Sequence, residues 1–362
     1  VNIFFLTETE SGCYKWRGAI PAKYLRQRGH TVQILDDGFQ AYEAPDVLVI
    51  FRAHYPTADK IVQWCKQRSI RVVFDTDDAL DRVPRENVHY RELQGRLDLY
   101  HFLLENADVV TTTTPVLAAE LRQRNPNVVV LPNSADPEDW TIQSRDVSKR
   151  EGLRIGWTGS ATHFHDLAVA LPAIRELQKR HDFTFVLQGL CDRPSLPEFY
   201  AELVSTHGKP FVNSPLGKSI KRFLAELEGI CYEFHPMVRF DVHSSKVCEL
   251  ALDIGIAPVV EDPFNRNKSC IKYYEYALSG AITVASRALP YSAEVPVTAK
   301  NNRQSWKDTL EPLLEADRTP LWRAQRDWVL THRNMECNVE LWEQVYRGEL
   351  TSSAAAADHN AA

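Results

Sequence analysis

Between Asp253 and Ser286 the chain reads DIGIAPVVEDPFNRNKSCIKYYEYALSGAITVAS. Two short apolar runs, Ile254 to Val260 and Ile282 to Ala285, have the length of buried strands. The spacing between them predicts a helix that begins at Lys268 and Ser269, with Lys272 one turn on and Glu275 a further turn along. A helix start offers unpaired N–H groups and partial positive charge. Two lysines beside it make a site for a diphosphate. A carboxylate one turn deeper can accept hydrogen bonds from ribose hydroxyls. That combination suits a nucleotide-sugar. The competing reading of Glu275 is a surface ion pair with Lys272, three residues away. Tyr273, Tyr274 and Tyr276 read as core rather than as ligand contacts.

The segment also resembles a known motif. Its pattern FN-x-x-KS-x-x-K-x-x-E-Y-A-x-x-G, followed by a strand ending Val-Ala-Ser, is similar to the donor-binding region of glycosyltransferases with two facing Rossmann-like domains, the GT-B fold. The likeness is to the retaining group called family 4, or group 1. LRIGWTGSATHFHDL (Leu153 to Leu167) resembles the first strand and loop of that group's second domain. VVFDTDDAL (Val72 to Leu80) and the stretch from Ala107 to Trp140 resemble parts of its first domain.

The resemblance implies an α/β chain with two parallel sheets and a C-terminal helix that crosses back to the first domain. Boundaries follow from the pattern: 1–135 for an acceptor-side domain, 136–152 for a linker, 153–331 for a donor-side domain and 332–350 for the crossover helix. The Ala- and Ser-rich end, 351–362, reads as a disordered tail. In the first half, strands are expected at Ile3–Leu6, Thr31–Leu35, Val47–Phe51, Arg71–Asp75, Val109–Thr112 and Val128–Leu131. Helices at Trp16–Arg28, Ala58–Arg68, Tyr90–Glu105 and Val116–Arg124 would join them. The stretch 190–229 contains four prolines and one expected helix, Ser219 to Leu227, and reads as an insertion.

Ligands in such sheets bind beyond the C-terminal ends of strands. Four further clusters fall there. After Arg154–Trp157 come Gly159, Ser160, Thr162 and His163; the glycine admits close backbone approach, and the hydroxyls can bond phosphate or cap a helix. The resemblance implies an Arg and a Lys in this loop, and the chain has His163 and His165 instead. Lys268 and Lys272 thereby become the main groups for charge neutralisation. A second Glu two turns before the ribose carboxylate is also replaced, by Asn267. Asn267 and Ser269 join the donor-side set. After Arg71–Asp75 come Asp75, Asp77 and Asp78, read as acceptor-hydroxyl ligands or capping groups, with metal binding the lesser reading. Arg52 and His54 follow Val47–Phe51; either can touch the β-phosphate or the acceptor, and His54 joins Lys268 and Lys272 in the catalytic set. Tyr14 and Arg17 sit in the loop after the first strand.

Composition narrows the partners. A net charge of -6 over 362 residues gives no bulk attraction to nucleic acid or anionic lipid, so such binding needs a local patch. Two patches exist. The basic aromatic stretch 14–30 carries Lys15, Arg17, Lys23, Arg26 and Arg28 beside Tyr14, Trp16 and Tyr24, and suits a membrane surface or nucleic acid. Lys209, Lys218, Lys221 and Arg222 lie in the insertion with no acid from Leu203 to Ala225. Seven cysteines without a CxxC pair read as reduced thiols of a cytoplasmic protein. No run approaches transmembrane length. No GxGxxG follows either domain's first strand, which disfavours a dinucleotide-dependent dehydrogenase.

The expected activity is therefore retaining, metal-independent transfer of a sugar from a UDP-, GDP- or dTDP-linked donor to a saccharide or lipid-linked glycan, with no tightly bound cofactor. One alternative is a bacteriophage-type enzyme acting on a hydroxymethylated base in DNA. Another is a non-catalytic nucleotide-binding relative.

Overall fold

The computed structural model describes residues 1–36, 39, 44–140 and 152–350. Within them two parallel six-stranded sheets face each other. The first contains β1 (Asn2–Leu6), β2 (Thr31–Leu35), β3 (Val47–Phe51), β4 (Arg71–Asp75), β5 (Val109–Thr112) and β6 (Val128–Val130), in the order β2-β1-β3-β4-β5-β6. The second contains β7 (Leu153–Gly159), β8 (Phe183–Gly189), β9 (Tyr232–His235), β10 (Ile254–Ala257), β11 (Ile282–Ser286) and β12 (Thr298–Ala299), in the order β12-β11-β10-β7-β8-β9. Strands β3 and β11 are buried at every residue, because helices cover both faces of a parallel sheet. That double burial is why they appear in the sequence as unbroken apolar runs.

Strand order reverses between β1 and β3 and again between β7 and β10. Such a reversal opens a crevice at the C-terminal ends of the strands. The loops after β1, β3, β7 and β10 therefore converge, and with the loop after β4 they carry the residues singled out above.

Several local expectations change. The helix expected to start at Lys268 begins instead at Ile271 and runs to Ser279, preceded by a tight turn, Asn265–Asn267. The stretch 190–229 is regular rather than loop-like. It folds into helices Leu196–Asn213 and Pro215–Leu227 between β8 and β9, and Ile220, Phe223 and Leu227 join the second core. Two of its prolines start helices rather than break them, since Pro197 and Pro215 stand in first turns capped by Ser195 and Ser214. The helix expected at Tyr90–Glu105 is two, Tyr90–Gln94 and Leu97–Asn106. A π-helical turn, Lys15–Ala19, precedes the helix Ile20–Gln27.

Most of the linker (141–151) and the tail (351–362) lie outside the described residues. The last helix, Met335–Arg347, packs on the first sheet, with Met335, Val339, Trp342, Val345 and Tyr346 in one core with Ile3, Phe5 and Val49.

Candidate active site

The second sheet supplies the floor. Trp157, fully buried near the end of β7, has the Lys272 ammonium 4.8 Å from its ring centre. Gly159 is required there: a methyl group at its Cβ would stand 2.6 Å from the Trp157 ring and 2.7 Å from Lys272 Nζ. Gly189, at the end of β8, has φ +91°, and a Cβ on it would meet the Gly159 carbonyl at 1.7 Å. Two glycines thus let adjacent strand ends and a lysine share one tight space.

Burial lowers the Lys272 pKa to about 8; Glu275 opposes this and Lys268 reinforces it. The Lys268 ammonium rests 4.5 Å from the Phe264 ring centre. The helix Ile271–Ser279 has no side-chain cap at its start, so its first amides add partial positive charge beside the two lysines. Glu275 Oε1 stands 3.2 Å from His243 Nε2. Burial pushes the Glu275 pKa up, but His243 and Lys272 outweigh it and hold the carboxyl below its usual range.

The loop after β7 is internally bonded. Ser160 Oγ and Thr162 Oγ1 are 2.9 Å apart, and His163 Nδ1 is 2.8 Å from Asp166 Oδ2. Asn265 also reaches Asp166, at 3.1 Å.

The first sheet supplies the opposite wall. Arg52, at φ 58°, donates to both oxygens of Asp77 at 2.7 and 2.9 Å, to Asp78 at 3.1 Å and to Cys13 Sγ at 2.9 Å. A non-glycine residue held in left-handed backbone marks a position fixed by its surroundings. For Asp77, burial is outweighed by Arg52 and the pKa falls. For Asp78, burial, aided by Asp77, prevails over the opposing Lys268 and Arg52, and the pKa rises.

The two walls touch. Thr114 Oγ1 donates to the Asn267 carbonyl at 3.0 Å, Asn133 Nδ2 to Ser269 Oγ at 2.8 Å and Lys15 Nζ to Ser244 Oγ at 3.2 Å. Tyr14 packs edge-on against Phe240, with ring centres 6.1 Å apart.

Some expected site residues are placed elsewhere. Arg17 and Asp75 do not present themselves to an acceptor. They form a fully buried bidentate pair at 3.0 and 2.6 Å, and Thr111 occupies Asp75 further. The Asn267 side chain is wholly enclosed, its amide spent on the Pro263 carbonyl at 2.8 Å. His54 Nδ1 faces Arg96 and lies 3.1 Å from Glu8; burial, with Arg52 and Arg96, lowers its pKa to about 4.

The stretch 14–30 is no bare basic face. Lys15 pairs with Asp139, Lys23 with Asp136 and Glu138, and Arg28 with Glu343. Arg26 is spent on the Val32 carbonyl. Lys209, Lys218, Lys221 and Arg222 are exposed. No described helix is long and apolar enough to cross a membrane.

Sequence reasoning did not single out Asp166, His243 or Asn133. Asp166 lies one turn past His163 and was within reach of a spacing argument. His243 meets Glu275, and Asn133 meets Ser269, only through the tertiary fold.

No protein-family model and no curated protein sequence matches the chain. Solved structures do match in fold. A glycosyltransferase from Rickettsia africae aligns at 12% identity over 96% of this chain and 98% of its own, with a TM-score of 0.60. An alpha-glucosyltransferase in complex with UDP and a 13-mer DNA containing an HMU base aligns at 13% identity over 96% and 99%, TM-score 0.62. HepE of Anabaena in complex with UDP-glucose aligns at 13% over 95% and 99%, TM-score 0.59. With its two facing Rossmann-like domains and returning C-terminal helix, the chain has the GT-B fold.

Proposed function

We propose that the chain is a retaining glycosyltransferase, related to family 4, that uses a nucleotide-diphospho-sugar. One observation carries the reading: Lys268, Lys272, an uncapped helix start and the Glu275–His243 pair gather at the end of one sheet, facing Arg52, Asp77 and Asp78 at the end of the other. Residues 153–331 then serve the donor and 1–135 the acceptor. Glu275 accepts from the ribose. The two lysines meet the charge that grows on the leaving diphosphate, in place of a divalent ion. The acceptor hydroxyl attacks the anomeric carbon from the leaving-group side while the bond to the β-phosphate oxygen breaks. That oxygen takes the hydroxyl proton, and the configuration is kept. Asp78 holds the acceptor hydroxyl.

The acceptor is a saccharide or lipid-linked glycan. DNA is the second reading, favoured by the four exposed cations Lys209, Lys218, Lys221 and Arg222. The test is a melting-temperature panel with UDP, GDP, dTDP and NAD, followed by transfer assays with the matching sugar donors. At about a hundredfold excess over Kd, the right nucleotide adds roughly 2.7 kcal/mol. Stabilisation by NAD alone would sink the reading. Nucleotide binding without sugar release or transfer would favour a non-catalytic role. Binding to DNA that weakens steeply with salt would select the DNA acceptor.

A further inference from the structure

We propose that His163 is a conditional cation, neutral in the empty site and charged once a diphosphate occupies it, with Asp166 as the positioning residue that aims its Nε2 at a phosphate oxygen. The proposal deepens the donor-site reading above and rests on it.

Asp166 is 2% exposed. Its Oδ2 faces His163 Nδ1 at 2.8 Å, and its Oδ1 accepts from Val260 N at 2.7 Å and Asn265 Nδ2 at 3.1 Å. Burial pushes this carboxyl up, but the hydrogen bond and charge of His163, with His165 and Val260, hold it below its usual value. An ionised carboxylate can only accept, so the proton of the neutral ring sits on Nδ1 and Nε2 keeps a bare lone pair. The ring is 17% exposed, within reach of a ligand in the cleft.

Burial keeps the ring uncharged, with Lys272 and Lys268 helping and Asp166 opposing, and its pKa falls to about 4. The titratable groups around it are Asp166 and His165 on its own turn, Lys268 in the loop ahead of Ile271–Ser279 and Lys272 on that helix. His163 and Lys272 meet on Trp157, the ring centres 6.0 Å apart for the former and the ammonium at 4.8 Å for the latter.

The two lysines that repel a third cation are the groups a diphosphate would neutralise. Its negative charge removes the repulsion, while the Asp166 carboxylate stays as counter-charge. His163 then takes a proton from solvent, donates Nε2–H to the phosphate and returns the proton when the diphosphate leaves. The empty site thereby avoids holding three cations together.

The test is ring-nitrogen NMR of histidine-labelled protein, assigned with His163→Gln. In the free protein His163 should be the neutral Nδ1–H tautomer from pH 5 to pH 8. With saturating UDP or inorganic pyrophosphate its midpoint should rise by about 3 units or more. At pH 6, His163→Gln should lose about tenfold in UDP affinity, with the loss shrinking towards pH 8.5. Asp166→Asn should lower the midpoint of the complex by about one unit or more. Should that variant fold poorly, His163→Gln leaves the Val260 and Asn265 bonds in place and carries the test. An Nε2–H tautomer in the free protein, or an unmoved midpoint in a UDP complex that does form, would overturn this proposal and leave the donor site standing. If neither UDP nor pyrophosphate changes the His163 signals or the melting temperature, the donor-site reading falls as well.

Discussion

Asn133 joins the two domains through a single hydrogen bond whose direction is fixed from behind: its Nδ2 donates to Ser269 Oγ at 2.8 Å because its Oδ1 accepts from Arg17 at 3.2 Å. Arg17 is held in turn by Asp75 and by the Leu131 carbonyl. A buried ion pair in the first domain thus reaches, through one amide, the loop that leads into the helix Ile271–Ser279. Replacing Asn133 with Ala should weaken nucleoside-diphosphate binding by roughly three- to tenfold, the worth of one hydrogen bond, and cost about 1–3 kcal/mol of stability through the buried Arg17 donor it leaves. Isothermal titration of the variant with UDP checks this, and unchanged affinity would remove the link.

Arg17→Met should leave the Asp75 carboxylate enclosed without its counter-charge. Breaking a buried pair from one side costs about 3–5 kcal/mol. Urea unfolding should show the unfolding free energy falling by that amount, while an exposed control such as Arg239→Met changes little.

Lys272 gives the opposite sign. Its folded pKa of about 8 lies below the ordinary lysine value of 10.5. Below pH 8 the native state carries a charge it holds unfavourably. Between pH 8 and pH 10.5 the unfolded chain binds more protons, so stability rises with pH across that window. Lys272→Met should therefore gain on the order of 1–2 kcal/mol at pH 7, after allowance for solvent, and lose that advantage above pH 10.5. Sugar transfer should fall at least about a hundredfold. Scanning calorimetry of both proteins at pH 7 and pH 11 would decide it; a variant less stable at pH 7 would contradict the burial argument.

Glu275→Ala should lower nucleoside-diphosphate affinity by about tenfold or more, since a charge-assisted bond to ribose is worth roughly 1.5–3 kcal/mol. His243→Ala should show a smaller loss in the same direction, because it orients the carboxylate. A deoxyribose analogue lacking the hydroxyl should bind wild type and Glu275→Ala almost equally; a full difference with that analogue would move Glu275 out of the ribose role.

The strand positions were legible because parallel strands buried on both faces are written as apolar runs, β3 and β11 most plainly. The closeness of Lys272 and Glu275 was legible because a three-residue spacing on one helix is local. Pairings across the fold were not. Arg17 and Asp75, fifty-eight positions apart, each looked like a free cleft residue, and nothing local says that one spends the other. His243 was silent for the same reason, its partner lying thirty-two positions away. Proline misled between 190 and 229, where Pro197 and Pro215 mark helix starts and only Pro210, beside the Gly208 kink, interrupts one.

The helix Met335–Arg347 has a consequence for biosynthesis. Trp342 lies under the Arg17 guanidinium at 4.5 Å, and its neighbours complete the core around Ile3, Phe5 and Val49. The first sheet therefore cannot close its own interior until residues near 346 have left the ribosome. While the second sheet is being synthesised, the first must wait with an apolar face open to water, and a product that stopped short of Met335 would keep that face uncovered.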